Sequence, residues 1–110
     1  MGTIAYAAPI LPGKEDAWAE FAGQLTGARK AEFDDFNTRH RITDHRAWLQ
    51  KNPDGNSLVI VVADGPGAET LMGEFATSDN EFDKWFAERI AEAHGFDLSA
   101  PPPPPAERRI

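Results

Sequence analysis

The residues Leu58-Val59-Ile60-Val61-Val62-Ala63 form the longest apolar run in the chain, and they constrain its fold more than any other feature. A row of β-branched and aliphatic residues suits a strand with apolar partners on both faces, because successive side chains point to opposite sides of a sheet. The run is far shorter than the roughly 18 residues of a membrane-spanning helix. It therefore predicts a central strand over Ser57 to Ala63, covered on one side by the chain's own helices. A monomer whose other sheet face met water would show at least one charge in this strand. A second copy of the chain is the expected cover, which gives a symmetric homodimer.

The segments around the strand read as helices and further strands. Thr3 to Ala8 alternates weakly around Ile4 and Tyr6 and runs into Pro9 and the Pro12-Gly13 turn, which predicts a first strand. Trp18, Phe21, Ala22 and Leu25 fall at i, i+3, i+4, i+7 and mark a helix over Lys14 to Leu25. A second, more polar helix is predicted from Ala28 to Arg41, with Phe33 and Phe36 on one face, lying across a sheet edge or on the first helix. Ile42 to Gln50 changes period around Ala47-Trp48-Leu49 and pairs with the central strand through the turn Asn52-Pro53-Asp54-Gly55-Asn56. After Asp64-Gly65-Pro66-Gly67 a short helix carries Ala68, Leu71, Met72 and Phe75. Ser78 and Glu81 have the spacing of a capping box, and Phe82, Phe86, Ile90 and His94 follow at i+4 steps up to Gly95, a left-handed cap. This order predicts an α+β fold of the ferredoxin-like kind, an antiparallel sheet with helices on one face. Residues 1–98 would form the single domain. Residues 99–110 would be a proline-rich arm whose Glu107 to Ile110 offers a poor fourth strand.

Composition narrows the function classes. The chain has 110 residues, the size of one domain, and 18 acidic against 11 basic side chains, a charge of −7. Residues 101–110 carry one acid and two arginines, so the body before them stands at −8. No basic run exceeds two residues, which argues against nucleic acid or an anionic membrane as partner. The absence of cysteine removes disulfides, thiolate metal sites and cysteine nucleophiles. No basic segment precedes an apolar one at the N-terminus, so no signal peptide is expected and the compartment reads as cytoplasmic.

Four pieces carry a resemblance: Ile42-Thr43-Asp44-His45-Arg46-Ala47-Trp48-Leu49-Gln50, Asn52-Pro53-Asp54-Gly55, Ser78-Asp79-Asn80-Glu81-Phe82-Asp83-Lys84-Trp85-Phe86 and His94-Gly95-Phe96-Asp97-Leu98. With the opening Pro9-Ile10-Leu11-Pro12-Gly13-Lys14, they resemble a family of small, mostly bacterial proteins of unknown function, related in fold to the dimeric α+β barrel group. The resemblance spans nearly the whole chain. It implies a fold more than a chemistry, because that group holds cofactor-free oxygenases, isomerases, haem-linked enzymes and proteins with no known activity.

Candidate chemistry rests on few residues. His45 and His94 are the candidate proton carriers, since histidine titrates near neutrality. His94, in the last turn of its helix, suits a partly buried residue at the negative end of the helix dipole better than a proton carrier. His40 and His45, with Asp44 between them, are spaced neither as a helical metal pair nor on one strand face, so no metal site is expected. Arg39, Arg41 and Arg46 form the one basic stretch and could grip a carboxylate, or pair with Glu32, Asp34, Asp35 or Asp83. Tyr6, Trp48 and Trp85, with Trp18 and Phe36, could line an apolar pocket or simply pack the core. No nucleophile elbow, dinucleotide loop or phosphate loop is present, and no cofactor is implied. Pro101 to Pro105 should form a polyproline II spacer, with recognition by an aromatic groove as the other use.

Two functions follow as expectations. The first is a dimer that binds a small ligand or serves a structural role, without catalysis. The second is a cofactor-free oxygenase, isomerase or cyclase acting on a small acidic or aromatic metabolite. In that reading His45 or His94 moves a proton, Arg46 anchors the anion, and Trp48 or Trp85 walls the pocket; Arg41 and Tyr6 are further candidate ligand-binding residues. It requires His and Arg to converge on one cavity.

Overall fold

A computed structural model describes residues 2–101 and 103–110. Strands β1 (Gly2–Pro9), β2 (Asp44–Lys51) and β3 (Ser57–Gly65) form an antiparallel sheet in the order β1-β3-β2. Helices α1 (Glu15–Thr26) and α2 (Lys30–Arg39) link β1 to β2, and a 3-10 turn (Ala68–Thr70), α3 (Leu71–Ala76) and α4 (Glu81–His94) follow β3. The chain is thus α+β, with the apolar run at the centre of its sheet. No helix among the described residues is long and apolar enough to cross a membrane.

Register explains which residues meet the helices. Ile4 and His45 flank Ala63, Tyr6 and Ala47 flank Val61, and Ala8 and Leu49 flank Val59, so these residues share the helix-facing side. Val59 and Ala63 are buried there. Ala5 and Arg46 flank Val62, and Ala7 and Trp48 flank Ile60, on the outer side. Leu58, Ile60 and Val62 are half-buried on that face, and Trp48 beside them is 50% exposed.

The helices bury the stripes that the sequence marks. Phe21 of α1 packs at 5.3 Å from Phe86 of α4, and Phe82 and Phe86 are both buried. α2 is more central than its polarity suggests: Phe36 is fully buried, 4.6 Å from Phe86 and 6.0 Å from Phe75. A helix with two inward rings needs no broader apolar stripe when its neighbours supply the rest of the core.

Two expectations change. The N-cap of α4 is Asn80, whose Oδ1 accepts from the N–H groups of Phe82 and Asp83, and not Ser78. Ser78 Oγ instead donates to the Asp83 carboxylate and accepts from the Asn80 N–H, so the hydroxyl is spent one step before the helix. Gly95 does form the left-handed cap, with φ 75° and its N–H on the Ala91 carbonyl. Glu107 to Ile110 forms no fourth strand. Prolines have no N–H for a ladder, and the first residue after them, Ala106, makes one bond of 2.7 Å to the Ala5 carbonyl on β1. Pro102, within the expected polyproline II run, lies outside the described residues. Gly65 ends β3 and Gly67 lies in the turn that follows. Their backbone presses on the α2–β2 connection, where a Cβ on Gly67 would collide with the His40 carbonyl, and the Gly67 N–H donates to the Arg41 carbonyl.

Candidate functional site

The helix-facing side of the sheet and the helices do not close on each other completely. Between them lies a cavity of about 520 Å³, within the range of small-molecule sites. Ile4, Tyr6, Val59, Val61 and Ala63 form its floor, and Trp18, Phe21, Leu25, Phe75, Phe86 and Ile90 form its roof. Pro103, Pro104, Pro105 and Ala106 complete one wall, so the tail belongs to the site. The Ala106 bond to Ala5 holds that wall against the open edge of β1.

The cavity is apolar apart from a few groups. His45 enters from β2, within 5.1 Å of the Phe33 ring and 6.3 Å of Phe86. Its Nδ1 lies 2.9 Å from Asn37 Oδ1 and donates to it, which leaves Nε2 bare and without a partner among the described residues. Burial lowers the His45 pKa to about 4, against a small opposing pull from Asp44, so the ring is neutral at pH 7. His94 enters from the end of α4 and donates from Nδ1 to the Pro9 carbonyl at 2.8 Å. Burial lowers its pKa as well, more than that hydrogen bond raises it. Tyr6 lies between them along the sheet, and burial raises its phenol. His45 sits at the level of Ala63, and His94 is tied to Pro9, which pairs with Leu58. At roughly 3.4 Å per residue the two histidines mark opposite ends of the cavity.

The arginines lie elsewhere. Arg46 adjoins the cavity through β2, but its guanidinium turns to the outer face, 2.8 Å from both Asp44 and Asp64. Its charge also lies 5.9 Å from the Trp48 ring on the same face. Trp48, expected as a pocket wall, is on that side because it is an odd number of residues from His45 on one strand. Arg41 has φ 61° and pairs with Glu74 at 3.3 Å. Trp85 is not among the lining residues; it packs 5.3 Å from Phe21 under the guanidinium of Arg29, 4.4 Å away. Of the residues singled out by sequence, the structure therefore gathers Tyr6, His45 and His94 at the cavity and disperses Arg41, Arg46, Trp48 and Trp85.

A second polar cluster ties α2 to α3 and α4. Asp83 is fully buried and accepts from both terminal nitrogens of Arg39, at 3.0 and 2.8 Å, from Ser78, and pairs with His40 Nε2 at 2.9 Å. Burial alone pushes the Asp83 carboxyl up, and the bonds from Arg39, Ser78 and His40 more than reverse this, to about 2. The other His40 nitrogen faces Glu74 at 3.1 Å. Hydrogen bonds from His40 and then Thr70 hold the Glu74 carboxyl below its usual range. The pairing of Arg39 with Asp35 and Asp83 is the ion-pair use considered for the basic stretch. Asn37 and Glu74 carry no sequence signal of a site, and the tail prolines, read as a spacer or a recognition segment, gave no sign of walling this cavity; Asn37 is legible only once α2 and β2 are known to pack together. No group of three or more potential metal-ligating side chains occurs among the described residues. Comparison with protein-family models, curated proteins and solved structures finds no match.

Proposed function

We propose that this chain is a small-ligand-binding protein of the ferredoxin-like, dimeric α+β barrel type, acting in the cytoplasm as a homodimer and without catalysis. The observation that carries the reading is the 520 Å³ apolar cavity with neutral imidazoles at its two ends. The fold part is supported by the order β1-β3-β2, a split βαβ arrangement, and by the tail bonding to the edge of β1. A dimer through the outer face would cover Leu58, Ile60, Val62 and the exposed Trp48, which single-chain packing leaves half-open.

Binding is favoured over proton transfer by two features. A base with a pKa near 4 is poorly matched to work at pH 7. The cofactor-free enzyme also needed an arginine beside the histidine, and the guanidinium of Arg46 is taken by Asp44 and Asp64 on the other side of the sheet. Native mass spectrometry of the protein purified from cells tests the reading, with a retained small molecule as the expected result. A chain free of any adduct that also fails to take up a neutral apolar dye would defeat it. Light scattering tests the dimer separately: twice the 12.1 kDa chain mass is expected at micromolar concentration.

A further inference from the structure

The polar groups around the cavity define what it can hold. Among the described residues no lysine, aspartate or glutamate lines it, and the one lining arginine, Arg46, has its charge paired outside. A ligand charge of either sign would enter an apolar space with no counter-charge, at a large desolvation penalty. Besides Arg46, five lining side chains among the described residues carry hydrogen-bonding N or O atoms: Tyr6, Trp18, Thr26, His45 and His94. The Thr26 hydroxyl donates back into its own helix, to Ala22 and Gly23 carbonyls. Each histidine spends its Nδ1–H within the chain, His45 on Asn37 and His94 on Pro9, so each offers only a bare Nε2 acceptor. At the His45 end the Phe33, Phe36 and Phe86 rings surround the imidazole at 5.1, 6.5 and 6.3 Å.

We propose that the cavity takes an uncharged aromatic ring compound bearing a hydroxyl or N–H donor, seated with that donor on His45 Nε2 and its rings among the phenylalanines. The assignment rests on the cavity being a ligand site. It narrows the ligand class, because acidic metabolites are excluded. Asn37 is the positioning residue: by accepting from Nδ1 it fixes the tautomer and presents Nε2 to the ligand.

The test uses three probes of one shape: 4-phenylphenol, its methyl ether and biphenyl-4-carboxylate, titrated calorimetrically into the full-length protein at pH 7. The phenol is expected to bind, the ether roughly three- to tenfold more weakly for want of one hydrogen bond, and the carboxylate not at all. His45→Phe should erase the difference between phenol and ether. Should that variant not fold, the ¹⁵N resonance of His45 Nε2 in the unaltered protein gives the same answer, shifting with the phenol and not with the ether. Ether or carboxylate binding as tight as the phenol, or a phenol that leaves the Nε2 resonance unmoved, overturns the assignment while the cavity remains a ligand site. Failure of all three probes to bind a folded protein overturns both.

Discussion

His40 and His45 stand five residues apart across one short connection, and their surroundings are opposite. Both ring nitrogens of His40 are engaged by carboxylates, Glu74 on one side and Asp83 on the other. His45 has one nitrogen engaged, by a neutral amide, and the other bare beside an apolar cavity. His40 closes a network that ties three helices together, and nothing in it is left over for a ligand. At His45 the packing stops short and leaves an acceptor unused. The difference separates a region whose polar groups are all spent on stability from the one proposed to bind a ligand.

The sharpest way to break that contrast is to remove the carboxylate at its structural end. Asp83→Ala leaves Arg39 and His40 without their buried partner, and losing one member of such a pair costs about 3–5 kcal/mol. Urea unfolding should show that loss.

Acid should act on the two regions in different windows. His45 has a folded pKa near 4 against about 6.5 when unfolded, so the unfolded chain takes up its proton first. Stability should therefore fall as pH drops from about 6.5 to 4, by roughly 2–3 kcal/mol for this group, with His94 adding in the same direction. Asp83, lowered to about 2, contributes stability above the unfolded carboxylate pKa near 4, and that contribution is lost as pH falls from there toward 2. A His45→Phe chain whose stability between pH 7 and 4 falls as steeply as the parent's would contradict the assignment of the first window.

Truncation after Ser99 should act on the cavity more than on the fold. Removing residues 100–110 takes away the wall formed by Pro103 to Ala106 and the single backbone bond from Ala106 to Ala5. Because that bond is made within one chain, the homodimer proposed above should persist while a bound probe leaves several-fold faster, as stopped-flow measurements would read. A truncated chain that loses its dimer and keeps its release rate would mean that the arm serves the partner subunit instead.

The legible parts of the molecule were those set by local periodicity. The apolar run gave β3, the i, i+3, i+4 stripes gave α1 and α4, and Gly95 gave the cap, because each depends on neighbours within a few residues. Tyr6, His45 and His94 could be named as candidates from residue type alone. What the sequence could not convey was side: that Trp48 and His45, three apart on one strand, face opposite ways follows from alternation alone, but which of them meets the helices needs the register with β3. Nor could it convey partners distant in the chain, such as Asn37 under His45 or Glu74 against His40, since 34 residues separate the last pair. The fourth strand expected at Glu107 to Ile110 does not form: the prolines before it offer no N–H to the edge of β1, and Ala106 makes one backbone bond there, to Ala5.

The smallest expected effect separates the two faces of the sheet. Arg46 was the sequence's choice of anion anchor, and its side chain makes two ion pairs on the outer face while itself 43% exposed. Exposed pairs of this kind contribute about 0–1 kcal/mol, so Arg46→Ala should barely move the unfolding midpoint. Affinity for 4-phenylphenol should be unchanged, since the guanidinium never reaches the cavity. A loss of tenfold or more with the fold intact would place Arg46 in the binding site after all. It would mean that the side chain leaves Asp44 and Asp64 when ligand arrives, and the contrast between a paired outer face and an apolar, charge-free cavity would have to be redrawn around a mobile arginine.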